Sequence, residues 1–146
     1  MGITISGRYK GRISPFELNM SYSTFFRLRC TIARSLDSEL YSHYLHLIDC
    51  RRSEAEWDEY DRITNDIIHK NKIDSAKWKS KIVDFLFMSD TNGKISYGTC
   101  GRLYSLIKNE PDEDQYGYTM IGDNTMGTFK ALLRDVYVNG GTLIWR

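Results

Sequence analysis

The chain has 146 residues, 20 Lys and Arg against 19 Asp and Glu, and a hydrophobic fraction of 41%. That length fits one domain over residues 1–146 that buries roughly two-thirds of its unfolded surface and needs no staples to fold. The near-zero charge excludes a DNA mimic and a broadly basic nucleic-acid binder, the aromatic content excludes a disordered chain, and apolar runs no longer than Phe85-Leu86-Phe87-Met88 exclude a membrane span.

Ile3-Thr4-Ile5-Ser6 alternates apolar and polar residues, the period of a strand. It reads as a plain edge strand, although Met1-Gly2 followed by Ser6 formally matches a myristoylation pattern. Gly7, Gly11 and Pro15 punctuate a loop that carries Arg8, Lys10 and Arg12. Ser21 or Ser23 is placed to cap a helix whose stripe is Phe25, Leu28, Ile32 and Leu36, with Arg27 and Arg34 on the solvated side. A second helix is expected over 38–48, with Leu40, Tyr44, Leu47 and Ile48 on one side. Ser53 and Glu56 have capping-box spacing, and Trp57, Tyr60, Ile63, Ile67 and Ile68 continue that helix.

Asp74 could cap a fourth helix, with Trp78, Ile82, Phe85 and Leu86 at helical spacing. After a turn at Asp90–Gly93, Ser96 could cap a fifth, with Cys100, Leu103, Tyr104 and Ile107 inward. The stretch 110–126 is acidic, holds two tyrosines and shows no periodicity; connections of that length are often functional. A last helix over about 128–137 presents Phe129, Leu132, Leu133 and Val136, and Asn139-Gly140-Gly141 turns the chain into a terminal strand, Thr142-Leu143-Ile144-Trp145. The two terminal strands can pair with each other or with a short strand near Lys94–Ser96. The expectation is an α+β fold, a mostly helical single domain whose small sheet includes the N- and C-terminal strands.

Charge is uneven along the chain. Residues 1–52 carry eight basic and four acidic side chains, whereas residues 111–146 carry three and five. Three cysteines, Cys30, Cys50 and Cys100, without close spacing fit reduced thiols in a cytoplasmic chain and give no zinc signature. No apolar stretch near the N-terminus has the length of a signal peptide.

Ser89-Asp90-Thr91-Asn92-Gly93-Lys94-Ile95-Ser96 has the middle of an EF-hand loop, with Gly93 as the sharp-turn glycine. In that register Met88 stands where the first Asp belongs and Thr99 where the bidentate Glu belongs, so the carboxylates that grip calcium are missing. The alternative is a turn closed by side-chain-to-backbone hydrogen bonds. The same segment, with Cys100 four residues beyond Ser96, resembles a motif in small bacterial and phage proteins that read His-Ser-Asp-x-Asp-Gly before a Cys-bearing helix. These also begin with Met-Gly and a strand, followed by a helix like Tyr22–Arg29; here Met88 and Asn92 replace the His and the second Asp. The resemblance implies a phage or mobile-element setting and brings no activity of its own.

Catalytic signatures are lacking. His43 and His46 could share a helix face, but H-E-x-x-H, the P-loop, G-x-G-x-x-G and G-x-S-x-G do not occur. Tyr116 and Tyr118 flank Gly117 in the acidic stretch, where no helical stripe accounts for them. Together with Arg8, Arg12, Arg27 and Arg29 they could form a nucleotide pocket, an aromatic face for a base and guanidinium forks for phosphates. With the resemblance, the expected function is a non-enzymatic, phage-type inhibitor of bacterial antiviral defence that sequesters a nucleotide second messenger in the host cytoplasm. The alternatives are a protein–protein inhibitor of a host defence protein, and an enzyme that degrades such a messenger through His43 or His46. Neither cofactor, catalytic residue nor metal is assigned; a membrane or extended nucleic acid is not expected as partner, whereas a homo-oligomer is possible.

Overall fold

The computed structural model describes residues 2–49, 51–73, 81–111 and 125–146. It is an α+β fold, mostly helical, with an antiparallel sheet that contains both terminal strands, as expected. The chain divides into two compact units, Met1–Arg29 with Met88–Arg146, and Cys30–Phe87. No helix among the described residues is long and apolar enough to cross a membrane.

The first unit is built on the sheet. Strand β1 (Gly2–Tyr9) pairs with β2 (Arg12–Ile13), with β3 (Leu18–Ser21) and with β5 (Thr142–Trp145), and β5 pairs with β4 (Gly93–Ser96). The N-terminal strand is therefore central, not an edge: β2 and β3 flank one side of it and β5 the other. The stretch expected to be a loop is a hairpin, because Lys10 and Gly11 both adopt positive φ, 50° and 72°, the two-residue turn that matches strand twist. Ile3, Ile5, Met20, Ile95, Leu143 and Trp145 are buried on one face. Helix α6 (Thr125–Val138) packs there through Leu132 and Val136 against Gly7, where a Cβ would leave no room. Helix α5 (Tyr97–Ile107) follows Ser96, whose side chain makes no capping hydrogen bond, contrary to expectation. It lies against α6 and contributes Cys100, Leu103 and Ile107 to the core, and burial pushes the Cys100 thiol up to about 12. The buried Lys130 ammonium donates to the carbonyls of Lys108 and Glu110 just past the end of α5, a cation placed where the helix dipole is negative.

Helix α1 (Tyr22–Leu36) begins at Ser21, whose hydroxyl accepts from the Thr24 amide at 3.1 Å, and buries Phe25, Leu28 and Ile32 as its spacing predicts. In the second unit, α2 (Ser38–Tyr44) is capped by Asp37 and buries Leu40 and Tyr44. The helix expected to run to residue 48 changes to a 3-10 turn at Leu45–Ile48. Three residues per turn instead of 3.6 rotate the stripe, which leaves Ile48 74% exposed. Helix α3 (Glu54–Asn71) has the full capping box between Ser53 and Glu56 and ends at Lys72 in the left-handed conformation. Helix α4 (Lys81–Phe87) buries Ile82, Phe85 and Leu86, and the Tyr44 hydroxyl donates to the Leu86 carbonyl at 2.7 Å. The expected cap Asp74 and Trp78 lie outside the described residues.

Gly93 faces the Trp145 indole directly across the β4–β5 ladder, and a Cβ there would overlap the ring. Gly93→Ala is expected to destabilise the protein by about 2 kcal/mol, because the indole is fully buried and must shift against packed neighbours. Urea unfolding measures it; an unchanged midpoint would show that the ring yields freely.

Candidate functional site

Strand alternation places half of the sheet's side chains on the face opposite the core. The registers set which ones. Arg8 is level with Thr142, and Thr142 with Ser96; Ser6 is level with Ile144, and Ile144 with Lys94. Arg146 exchanges both backbone hydrogen bonds with Thr4, at 2.8 and 3.1 Å, and so extends the same ladder by one residue. This face carries Arg8, Lys94 and Arg146, all exposed, over a lattice of Thr4, Ser6, Asn19, Ser96 and Thr142. No outward strand position on it is acidic; Glu17 stands just before β3, outside the strand. Among the described residues, Arg8, Lys94 and Arg146 have no side-chain hydrogen bond or ion pair.

Of the four arginines expected to converge, Arg8 and Arg12 are parted by the hairpin and Arg29 is buried. In the β1–β2 hairpin Arg8 is level with Ile13 and Tyr9 with Arg12, so Arg8 and Arg12 project from opposite faces. On Arg12's side the hairpin is tied to α6: the Tyr9 and Ser14 hydroxyls donate to one oxygen of Asp135, at 2.8 and 2.6 Å, and the carboxylate holds the Tyr9 phenol above its ordinary pKa. Arg27 is exposed on α1. Tyr116 and Tyr118 lie outside the described residues.

Arg29 is 4% exposed. Its two terminal nitrogens donate to the carbonyls of Met88 (2.8 Å) and Ser89 (3.3 Å), and its guanidinium lies 4.2 Å from the Phe25 ring centre and 5.7 Å from that of Trp145. Trp145 Nε1 donates to the same Ser89 carbonyl at 3.0 Å. The EF-hand-like segment is thus a turn whose leading carbonyls serve a side-chain cation and an indole. Ser89 accepts from the Thr91 amide and bonds the Thr91 hydroxyl, which closes the bend as a serine turn. Among the described residues no three His, Cys, Asp or Glu side chains gather to hold a metal ion.

In the second unit, His43, His46, Arg52, Glu56, Glu59 and Tyr60 line a shallow groove of about 420 Å³. Its polar groups are mostly engaged with their own neighbours. The His43 ring stacks on Tyr60 at 3.8 Å, and Nε2 lies 2.8 Å from Thr64 Oγ1 and 3.2 Å from the Tyr60 carbonyl, while the Tyr60 hydroxyl returns a bond to the His43 carbonyl. Thr64 already donates its proton to the Tyr60 carbonyl, so its oxygen accepts from His43, which places the imidazole proton on Nε2. Arg52 donates to the carbonyls of Asp49 and His46 and stacks over Trp57 and Tyr60; Glu56 closes the capping box, and Glu59 is paired with Arg62.

Lys94 and Arg146 were not singled out by sequence reasoning. The signal was there in the period-2 strands Lys94-Ile95-Ser96 and Thr142-Leu143-Ile144-Trp145, but only the register brings their outward positions beside Arg8. The chain matches no family model, no curated protein and no solved structure.

Two measurements check these assignments. Arg29→Met takes the guanidinium donor from the Met88 carbonyl, leaves the Ser89 carbonyl to the Trp145 indole alone, and should cost about 3 kcal/mol in urea unfolding. Arg29→Lys should recover only part, since a point ammonium reproduces neither the fork nor the stacking. For His43, burial pushes the imidazole below its ordinary pKa, outweighing the opposing Tyr60 carbonyl, and the positive charges of His46 and Arg52 act in the same sense as burial. As pH falls through about 6.5 the unfolded chain takes up a proton that the folded ring resists, so stability present above that pH is lost below it. The fall in unfolding midpoint between about pH 7.5 and 5.5 should be smaller in His43→Asn than in the parent protein.

Proposed function

We propose that the protein works by binding, and that its ligand is a small phosphate-bearing nucleotide held on the open face of the sheet. One observation supports this reading above others: Arg8, Lys94 and Arg146 share a solvent-facing surface with hydroxyl side chains and with no acidic strand residue. Guanidinium and ammonium groups without ionic partners attract phosphate, and Ser, Thr and Asn side chains are the usual neutral donors to phosphate oxygens. A small sheet with one packed face and one cationic face provides binding area without needing a deep cleft. In the phage setting implied by the resemblance of Ser89–Ser96 and Cys100, such binding removes a nucleotide messenger from a bacterial defence pathway, and the protein acts as a sponge in the host cytoplasm.

A second reading has its own observation. Phe16 and Val138, 40% and 68% exposed, border a shallow cleft of about 330 Å³ with Ala131, Arg134 and Asp135. Exposed aromatic and aliphatic side chains beside charged ones are the composition of a protein-contact patch, which favours direct inhibition of a host defence protein.

Isothermal titration against ATP, ADP-ribose and cyclic dinucleotides separates the two. The sponge reading expects heat with at least one of them, a ligand recovered unaltered after denaturation, and loss of at least tenfold in affinity in the double variant Arg8→Gln, Lys94→Gln. Absence of heat with every nucleotide, combined with capture of a host protein that Val138→Asp abolishes, would establish the second reading in its place.

A further inference from the structure

We infer that the cationic face selects a ligand with several linked phosphates, a short single-stranded oligonucleotide, over a mononucleotide; this rests on reading that face as the phosphate site. The argument is the spacing of the cations. Neighbouring strands are about 4.8 Å apart and alternate residues about 6.8 Å apart along a strand. Lys94 is level with Ile144, two residues before Arg146, which puts the Lys94 and Arg146 Cα atoms about 8 Å apart. Arg8 is level with Thr142, which places it about 12 Å from Lys94 and about 14 Å from Arg146.

Strand side chains stand nearly perpendicular to their sheet, so the three charges keep this spacing at their tips unless the side chains bend toward one another. A single phosphate group can reach one of them comfortably. Phosphates strung along a sugar backbone can occupy all three at once, with the intervening sugars over Ser6, Ile144 and Thr142. Linking the groups makes the second and third contacts intramolecular, which multiplies affinity without any new kind of contact. The outward strand positions hold no aromatic ring on which a base could stack, so recognition is directed to the backbone and tolerates sequence.

The cation number sets a measurable quantity. For single-stranded nucleic acid, log K falls with log salt concentration at a slope of about −0.7 per neutralised phosphate, so three contacts give about −2. Fluorescence titration of a 5′-phosphorylated trideoxythymidylate and of thymidine monophosphate, from low to moderate salt, reads it. The inference expects at least tenfold tighter binding of the trinucleotide and a slope near −2. It also expects Arg8→Gln, Lys94→Gln and Arg146→Gln each to weaken it about fivefold and to reduce the slope by about 0.7, with Arg51→Gln in the second unit without effect. All three substitutions are at exposed positions, and an unchanged thermal midpoint confirms folding. Equal affinity for the two probes, each weakened by the face variants, overturns the inference and leaves the phosphate site standing. Trinucleotide binding untouched by the face variants overturns the assignment of the face, and no binding of either probe, nor of the cyclic nucleotides above, overturns both.

Discussion

The burial of Arg29 is the constraint on which the first unit depends. A guanidinium withdrawn from water carries a desolvation cost of several kcal/mol, and it persists only where its donors are used. Here two of them serve the carbonyls of Met88 and Ser89, and the π faces of Phe25 and Trp145 lie against the cation. A desolvated cation–π contact is worth about 2 kcal/mol, which offsets part of the cost. What the arrangement supplies beyond energy is position. The Ser89 carbonyl is shared between Arg29 and the Trp145 indole, so the start of the turn and the end of β5 are fastened to the same point of α1. With that point fixed, Gly93 falls opposite Trp145, and the register of β4 against β5 follows. Because strand alternation has a period of two, one residue of slippage would send Lys94 to the core and Ile95 to solvent.

The cations of this protein therefore do two kinds of work. The buried ones, Arg29 and Lys130, tie backbone carbonyls together, and those on the sheet face, Arg8, Lys94 and Arg146, are exposed. The same distinction separates Arg62, whose pairs with Glu59 and Asp66 at 2.5 and 2.6 Å are exposed and contribute little to stability, from Arg52, which gathers carbonyls and aromatic rings of its own unit. Formal charge says nothing about which kind a given arginine is. Burial and the identity of the acceptor decide it.

This explains how much could be read in the sequence. Features set by neighbours along the chain were legible: the Ser53–Glu56 capping box, the Phe25, Leu28 and Ile32 stripe, the alternating terminal strands. Features set by distant partners were not. Arg8 and Arg12 differ by four residues and look equivalent, yet the two-residue turn at Lys10-Gly11 folds one strand onto the other and sends them to opposite faces. Arg29 lies on the buried side of α1 because carbonyls about sixty residues away need a donor there, a fact that helical periodicity does not contain. Ile48 followed the helical pattern and was exposed by a change of pitch. The aromatic half of the expected pocket, Tyr116 and Tyr118, lies outside the described residues; of its arginines, Arg8 is on the outward face of the sheet, Arg12 on the opposite side of the hairpin and Arg29 in the core.

The EF-hand-like segment shows why a motif is better judged by what its carbonyls and carboxylates must satisfy than by its letters. A calcium loop concentrates oxygen ligands because the ion supplies the compensating charge. Here the two positions that would contribute most carry Met88 and Thr99, and the chain turns with its leading carbonyls directed to Arg29 and Trp145. The compensating charge is a side chain. Having its cation inside the fold, the turn can be followed at once by β4, whose Lys94 faces outward beside Arg146 across the ladder. A loop that spent its polarity on a bound ion would gain a ligand of its own. This one holds an edge strand whose outward side chain is the Lys94 cation.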